Sequence, residues 1–327
     1  MKKTIIVTGG AGFIGSCIVA RLNQYGLDKI LIVDKLRENG KQKNLQNKKY
    51  TDFINKEDFI GKVRSKPNYF QDIDTIFHMG ACSSTLNLDE KYLKKNNTDY
   101  SIKLAKWCME KNVKYIYASS GATYGDGSQG FSDDLESLER LNPLNPYGKS
   151  KHDFDLWVKK NRFFDSILGI KFFNVFGPNE YHKGEMRSVI HKAFPGVKEK
   201  GVMRLFKSYK PGYADGEQKR DFIYIKDVLE VMIFFYENKK LAGLFNVGKG
   251  QADTWNDVAR SMFKALNKPV NIEFIDMPDE LRPRYQYFTE ADITQLRDAG
   301  YKKEFTSIEE SVKDYICNYL DTEDPYY

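Results

Sequence analysis

No run of about 18 apolar residues occurs anywhere in the chain, so the sequence offers no membrane-spanning helix. Cysteine is scarce. The four present (Cys17, Cys82, Cys108 and Cys317) include no C-x-x-C pair, which argues against a disulfide framework or a zinc site and favours reduced thiols in a cytoplasmic protein. Histidine is equally sparse. His182 and His191 lie too far apart to form a ligand pair on one helical face, and no metal site is expected. There is no internal repeat and no low-complexity tract. Met1-Lys2-Lys3 leads directly into a short apolar run, which reads as a strand and not as a targeting segment. Net charge is +6, but the lysines are spread along the chain and form no concentrated basic stripe. That pattern argues against nucleic acid and is compatible with a smaller anionic ligand such as a nucleotide.

What is present is core material: 327 residues, 41% of them hydrophobic. In the first half, short β-branched runs alternate with longer amphipathic stretches. Residues 4–7, 30–33, 75–78, 115–119 and 167–172 read as strands, and 15–24, 101–111 and 146–159 as helices. That rhythm predicts an α/β fold with a Rossmann-type, doubly wound parallel sheet. Beyond it, 174–192 and 201–218 read as loops with short helices. Residues 222–225 and 244–247 read as short strands that either rejoin the sheet or pair nearby. A helix over 255–266, a strand over 271–275, a helix over 308–320 and a frayed tail over 321–327 complete a smaller mixed α/β region.

Thr8-Gly9-Gly10-Ala11-Gly12-Phe13-Ile14-Gly15 follows a strand and opens a helix. Gly9 suits the tight turn, Gly12 lets backbone approach a pyrophosphate, and Gly15 lets the helix pack on the strand. The helix N-terminus then presents N–H groups to phosphate. Asp34 ends the next strand, about 20 residues on, where a carboxylate receives an adenine ribose. Lys35, Arg37 and Lys41 follow closely and could pair with a 2′-phosphate, so both NAD and NADP stay open.

Tyr147 and Lys151 stand at i and i+4 behind Asn145-Pro146, a capping residue and a first-turn proline. Oxidation at an alcohol carbon needs a group that moves the hydroxyl proton, and a neighbouring ammonium lowers a tyrosine pKa. In a chain with 21 tyrosines the pair gains weight from its position downstream of the glycine turn. Ser120 and Thr123 lie just past the 115–119 strand, where open α/β sheets bind ligands; ordinary turn chemistry is the competing reading.

These motifs together (the glycine turn, Ser119-Ser120-Gly121-Ala122-Thr123-Tyr124-Gly125 and Tyr147-x-x-x-Lys151) resemble the extended short-chain dehydrogenase/reductases that epimerise and dehydrate nucleotide sugars. The resemblance runs over nearly the whole chain. It implies a cofactor domain of residues 1–173 plus about 221–250, and a substrate domain of about 174–220 and 251–327. Within that superfamily, residues 173–186, with His182-Lys183-Gly184, and the segment Arg284-Tyr285-Gln286-Tyr287-Phe288-Thr289 are similar to the ADP-glyceromanno-heptose 6-epimerase family.

The resemblance implies catalytic roles for Tyr147, Lys183, Lys151 and Ser120. On the cofactor side it implies Phe13, Ile14, Asp34, Lys35, Lys41, Lys56, Met79, Gly80, Ala81, Cys82, Ser83, Asn96, Lys151 and Val175 beside the glycines. On the substrate side it implies Asn174, Glu185, Lys192, Phe206, Arg220 and Tyr285. Glu185, Lys192 and a long 207–219 stretch depart from the family pattern. It further implies NADP (or NAD), an ADP-heptose substrate destined for lipopolysaccharide core, and a homo-oligomer. An unactivated carbinol C–H is not acidic, so inversion there calls for transient oxidation by a regenerated cofactor, with Tyr147 and Lys183 as the two proton-transfer residues.

Other readings remain in view. A dehydratase would carry an acidic pair where this chain has Gly121-Ala122-Thr123. A non-catalytic redox sensor has no need of Tyr147 and Lys151. A 4-epimerase is excluded only by the C-terminal segments, and a related heptose on a GDP carrier stays open.

Overall fold

The computed structural model describes residues 3–36, 40–282 and 285–327; Arg37 and Arg284 lie outside the described residues. The first half runs β1 (Thr4–Thr8), α1 (Phe13–Gln24), β2 (Ile30–Asp34), β3 (Asp52–Asn55), α2 (Lys56–Ser65), β4 (Ile73–His78), α3 (Glu90–Leu93), α4 (Tyr100–Lys111), β5 (Lys114–Ser120), α5 (Pro146–Lys160) and β6 (Leu168–Phe172). It continues with β7 (Asn174–Phe176), α6 (Val189–Pro195), β8 (Met203–Phe206), β9 (Lys219–Arg220), β10 (Phe222–Tyr224), α7 (Ile225–Glu237) and β11 (Gly243–Val247). The last stretch is β12 (Asp253–Thr254), α8 (Trp255–Ala265), β13 (Ile272–Ile275), α9 (Thr294–Asp298) and α10 (Ile308–Tyr315).

Seven strands form one sheet in the order β11-β6-β5-β4-β1-β2-β3, every pairing parallel. Side chains alternate between two apolar layers, as strand geometry requires. Ile5 and Val7 join the layer containing α1 and α7, whereas Ile6 joins the layer containing α2, α4 and α5. The strand order reverses between β1 and β4, and open α/β sheets bind ligands beyond the strand ends at such a point. Three two-stranded sheets, β7 with β10, β9 with β12 and β8 with β13, lie outside the main one.

The structure corrects several expectations. The 174–192 and 201–218 stretches are not only loop and short helix, because β7 and β8 form within them. Of the two short strands expected downstream, β11 rejoins the main sheet beside β6 while β10 pairs with β7. Ile225 starts a helix that periodicity did not separate from the apolar run before it; Asp227 in its first turn is the signal. Of the expected frayed tail, residues 321–324 are exposed, whereas 325–327 pack against the body of the protein. The Tyr327 N–H donates to Asn179 Oδ1 at 2.9 Å, and the Lys48 ammonium donates to the Tyr327 carbonyl at 2.6 Å.

Candidate active site

A cleft of about 970 Å³ opens over the carboxyl ends of β1, β4 and β5. The glycine turn forms its floor. Gly9 adopts φ +66°, the left-handed region that glycine enters without strain, and its N–H donates to the Val33 carbonyl at 2.8 Å. A Cβ on Gly9 would stand 2.7 Å from the Gly80 backbone, and one on Gly15 only 2.2 Å from the Gly9 carbonyl. The turn therefore needs glycine for close packing of β1, β4 and α1. No side chain caps α1, which leaves its first-turn N–H groups for a phosphate.

Asp34 closes β2, buried at the rim of this floor. Its Oδ2 accepts from the Ala11 N–H at 2.9 Å, and its Oδ1 lies 2.5 Å from the Lys41 ammonium. Lys35 lines the same end and pairs with Glu57 at 3.6 Å. Lys56 donates to Asn96 Oδ1 at 2.7 Å across the next wall. The 79–83 loop is held by Asn97, which sequence reasoning missed. Asn97 accepts from the Cys82 N–H at 2.8 Å and donates to the Cys82 carbonyl and the Ser150 hydroxyl, so one buried amide ties that loop to α5.

Asn145 caps α5 by accepting the Gly148 N–H at 2.8 Å, with Pro146 as the first helical residue. A Cβ on Gly148 would meet the Ala122 carbonyl at 2.7 Å, so the helix start sits directly on the turn after β5. That contact brings Ser120 to Tyr147. Burial pushes the Tyr147 phenol above its ordinary pKa, and a hydrogen bond with Ser120 opposes the rise. The sequence reading expected a lowered phenol pKa beside Lys151. Instead the Lys151 ammonium donates to the Ala118 carbonyl at 2.7 Å, and burial takes its own pKa down to about 8. Thr123 faces away from the cleft: its hydroxyl donates to the Ser120 carbonyl and accepts from buried Lys171 at 2.8 Å.

Lys183 also lines the cleft, on a short turn between β7 and α6. Its ammonium sits 5.1 Å from the Phe13 ring centroid. Burial lowers its pKa, and the nearby Glu180 carboxylate opposes that fall. Among the described residues none hydrogen-bonds this ammonium. Tyr147 and Lys183 thus line one cleft, although 36 positions separate them in sequence.

Asn174, Val175, Arg220 and Tyr285 also line the cleft. The Arg220 guanidinium stacks 5.1 Å from the Tyr285 ring and donates to the Lys219 carbonyl at 2.8 Å. Trp255, also missed by sequence reasoning, donates from its indole to the Tyr285 hydroxyl at 2.9 Å. Glu185, Lys192 and Phe206 do not line the cleft. Glu185 and Lys192 are exposed, joined by a 3.2 Å bond from the Lys192 ammonium to the Glu185 carbonyl. Phe206 ends β8, paired with Ile275 of β13.

The model of the NAD dependent epimerase/dehydratase family matches residues 5–248. The chain belongs to that family. As a member it takes a nicotinamide cofactor, and the glycine turn fits a pyrophosphate. The chain is 51% identical, over 98% of its length and 99% of the relative's, to ADP-L-glycero-D-manno-heptose-6-epimerase of Nitratidesulfovibrio vulgaris strain DP4. It is 48% identical, with the same coverage, to the enzyme of that name from Fusobacterium nucleatum. The crystal structure of the Helicobacter pylori ADP-L-glycero-D-manno-heptose-6-epimerase superposes with a TM-score of 0.80 at 27% identity, covering 97% of this chain and 96% of that one. No helix among the described residues is long and apolar enough to cross a membrane.

Proposed function

We propose that this family member is an isomerase that inverts C6 of the heptose in an ADP-glycero-manno-heptose, in the cytoplasm, for lipopolysaccharide core supply. One observation carries the reading: Tyr147 and Lys183, each able to move a proton, line the cleft that holds the glycine turn. Near-full-length identity to heptose epimerases supports the substrate. Residues 1–173 with about 221–250 hold the dinucleotide, and the remainder holds the nucleotide sugar.

A bound nicotinamide supplies hydride acceptance and return at the inverted carbon. In one orientation of the sugar, Tyr147 exchanges the hydroxyl proton, with Ser120 beside it. In the flipped orientation Lys183 does so, its lowered pKa making proton release feasible. Lys151 holds the ribose and keeps positive charge near Tyr147. Lys35, Lys41 and Lys56 line the cleft and would favour NADP over NAD by pairing with its 2′-phosphate. Arg220 and Tyr285 hold the diphosphate and base of the substrate.

The test is NMR observation of the epimer formed from ADP-heptose, with GDP-heptose and a UDP-hexose as comparisons. Inversion at C6 of the ADP sugar is expected. Turnover of the UDP sugar alone would replace this reading with a 4-epimerase. The nucleotide released on denaturation should be NADP.

A further inference from the structure

The turn bearing Lys183 is closed on itself. Buried Glu180 accepts from the Ser188 hydroxyl at 2.6 Å and the Ser188 N–H at 2.5 Å, which joins both ends. Its remaining freedom lies in how that closed turn sits against the cleft. Asn179, fully buried with φ +73°, is one point of attachment, beside the Tyr315 hydroxyl on Glu180 at 3.0 Å and Asn44 against His182 at 3.2 Å. The Asn179 amide donates to the Ser16 hydroxyl of α1 at 2.9 Å. Its carbonyl accepts from Asn44, whose amide also reaches the Ala11 carbonyl of the glycine turn at 3.0 Å. A further tie comes from residues 325–327. The Tyr327 N–H donates to Asn179 Oδ1 at 2.9 Å, and the Tyr181 hydroxyl donates to the Pro325 carbonyl. The Tyr181 and Tyr326 rings meet edge to face at 5.2 Å, and the Lys48 ammonium anchors the Tyr327 carbonyl at 2.6 Å.

We propose that residues 325–327 are a strap that positions Lys183 for its half of the reaction, through Asn179 and Tyr181. The inference rests on the two-residue proton transfer proposed above. Residues 325–327 do not line the cleft, and their direct contacts reach the Lys183 turn at Asn179 and Tyr181, so the larger effect is expected on the proton transfer that uses Lys183. Effects on the two epimers therefore separate. One epimer gives up its hydroxyl proton to Tyr147 and the other to Lys183. A merely structural strap would slow both alike.

The experiment compares the parent with a chain ending at Asp324 and with the conservative Tyr181→Phe. Single-turnover reduction of bound nicotinamide is followed after adding each epimer separately. Amide hydrogen exchange of 180–186 is measured in parallel. The expected result is a rate lowered about tenfold or more for one epimer and unchanged for the other, with faster exchange of 180–186. Equal slowing of both epimers, or unchanged exchange, overturns the strap. If the parent oxidises neither epimer, the epimerase reading fails and the positioning role falls with it, whereas equal slowing in an active parent overturns the strap alone. Tyr181→Phe keeps the chain length and ring, so it carries the test if the shortened chain does not fold.

Discussion

The Lys151 ammonium donates to the Ala118 carbonyl across 2.7 Å, tying α5 to the end of β5. It stands one helical turn from Tyr147, and burial brings its pKa to about 8. The charge that the proposed reaction would use is therefore held close to its titration point.

Activity should accordingly fall as pH rises through about 8, when Lys151 loses its proton. The pH profile of kcat/KM measures this, and a flat profile up to pH ~10 would contradict it. Stability moves the other way. The folded pKa lies below the ordinary 10.5, so between about 8 and 10.5 the unfolded chain binds the extra proton. This group's contribution to stability therefore rises with pH across that window. Lys171, also brought to about 8 by burial, acts in the same direction.

Tyr147→Phe and Lys183→Met should each reduce net epimerisation by about a thousandfold or more while cofactor stays bound. NMR of the product and nucleotide release on denaturation check the two halves of the statement. Full activity in either variant would end the two-residue assignment.

Lys41→Ala should weaken NADP binding about tenfold and NAD binding much less, since it removes charge beside a 2′-phosphate. Isothermal titration with both dinucleotides reads the difference. Equal losses would mean that Lys41 serves mainly as the partner of Asp34, 2.5 Å away.

Gly15→Ala should cost about 2–3 kcal/mol and impair cofactor binding, because the new methyl would stand 2.2 Å from the Gly9 carbonyl. Denaturant unfolding measures the loss. A variant as stable as the parent would show that the turn can relax.

The first half of the fold was legible because strand and helix periods differ and glycines punctuate them. β1, β2, β4 and β5 appear where the β-branched runs stand, and Asn145 caps α5 as its residue type predicts. The second half was less legible. Residues 222–225 are a continuous apolar run, and α7 begins at Ile225 inside it, a boundary marked only by Lys226 and Asp227 one and two residues on. β7, β8 and β9 span 3, 4 and 2 residues, too short for alternation to register. Asn97 and Trp255 carry no local motif; their roles arise from contacts 53 and 30 positions away.

By itself, then, the sequence determined the Rossmann half, the glycine turn and the Tyr147–Lys151 spacing, since each depends on local conformation and short-range geometry. Only the tertiary structure decided that Lys183 shares a cleft with Tyr147, that Thr123 turns into the core, and that Tyr327 reaches Asn179. Those facts depend on how distant segments pack, and on which partners that packing brings to each buried polar group.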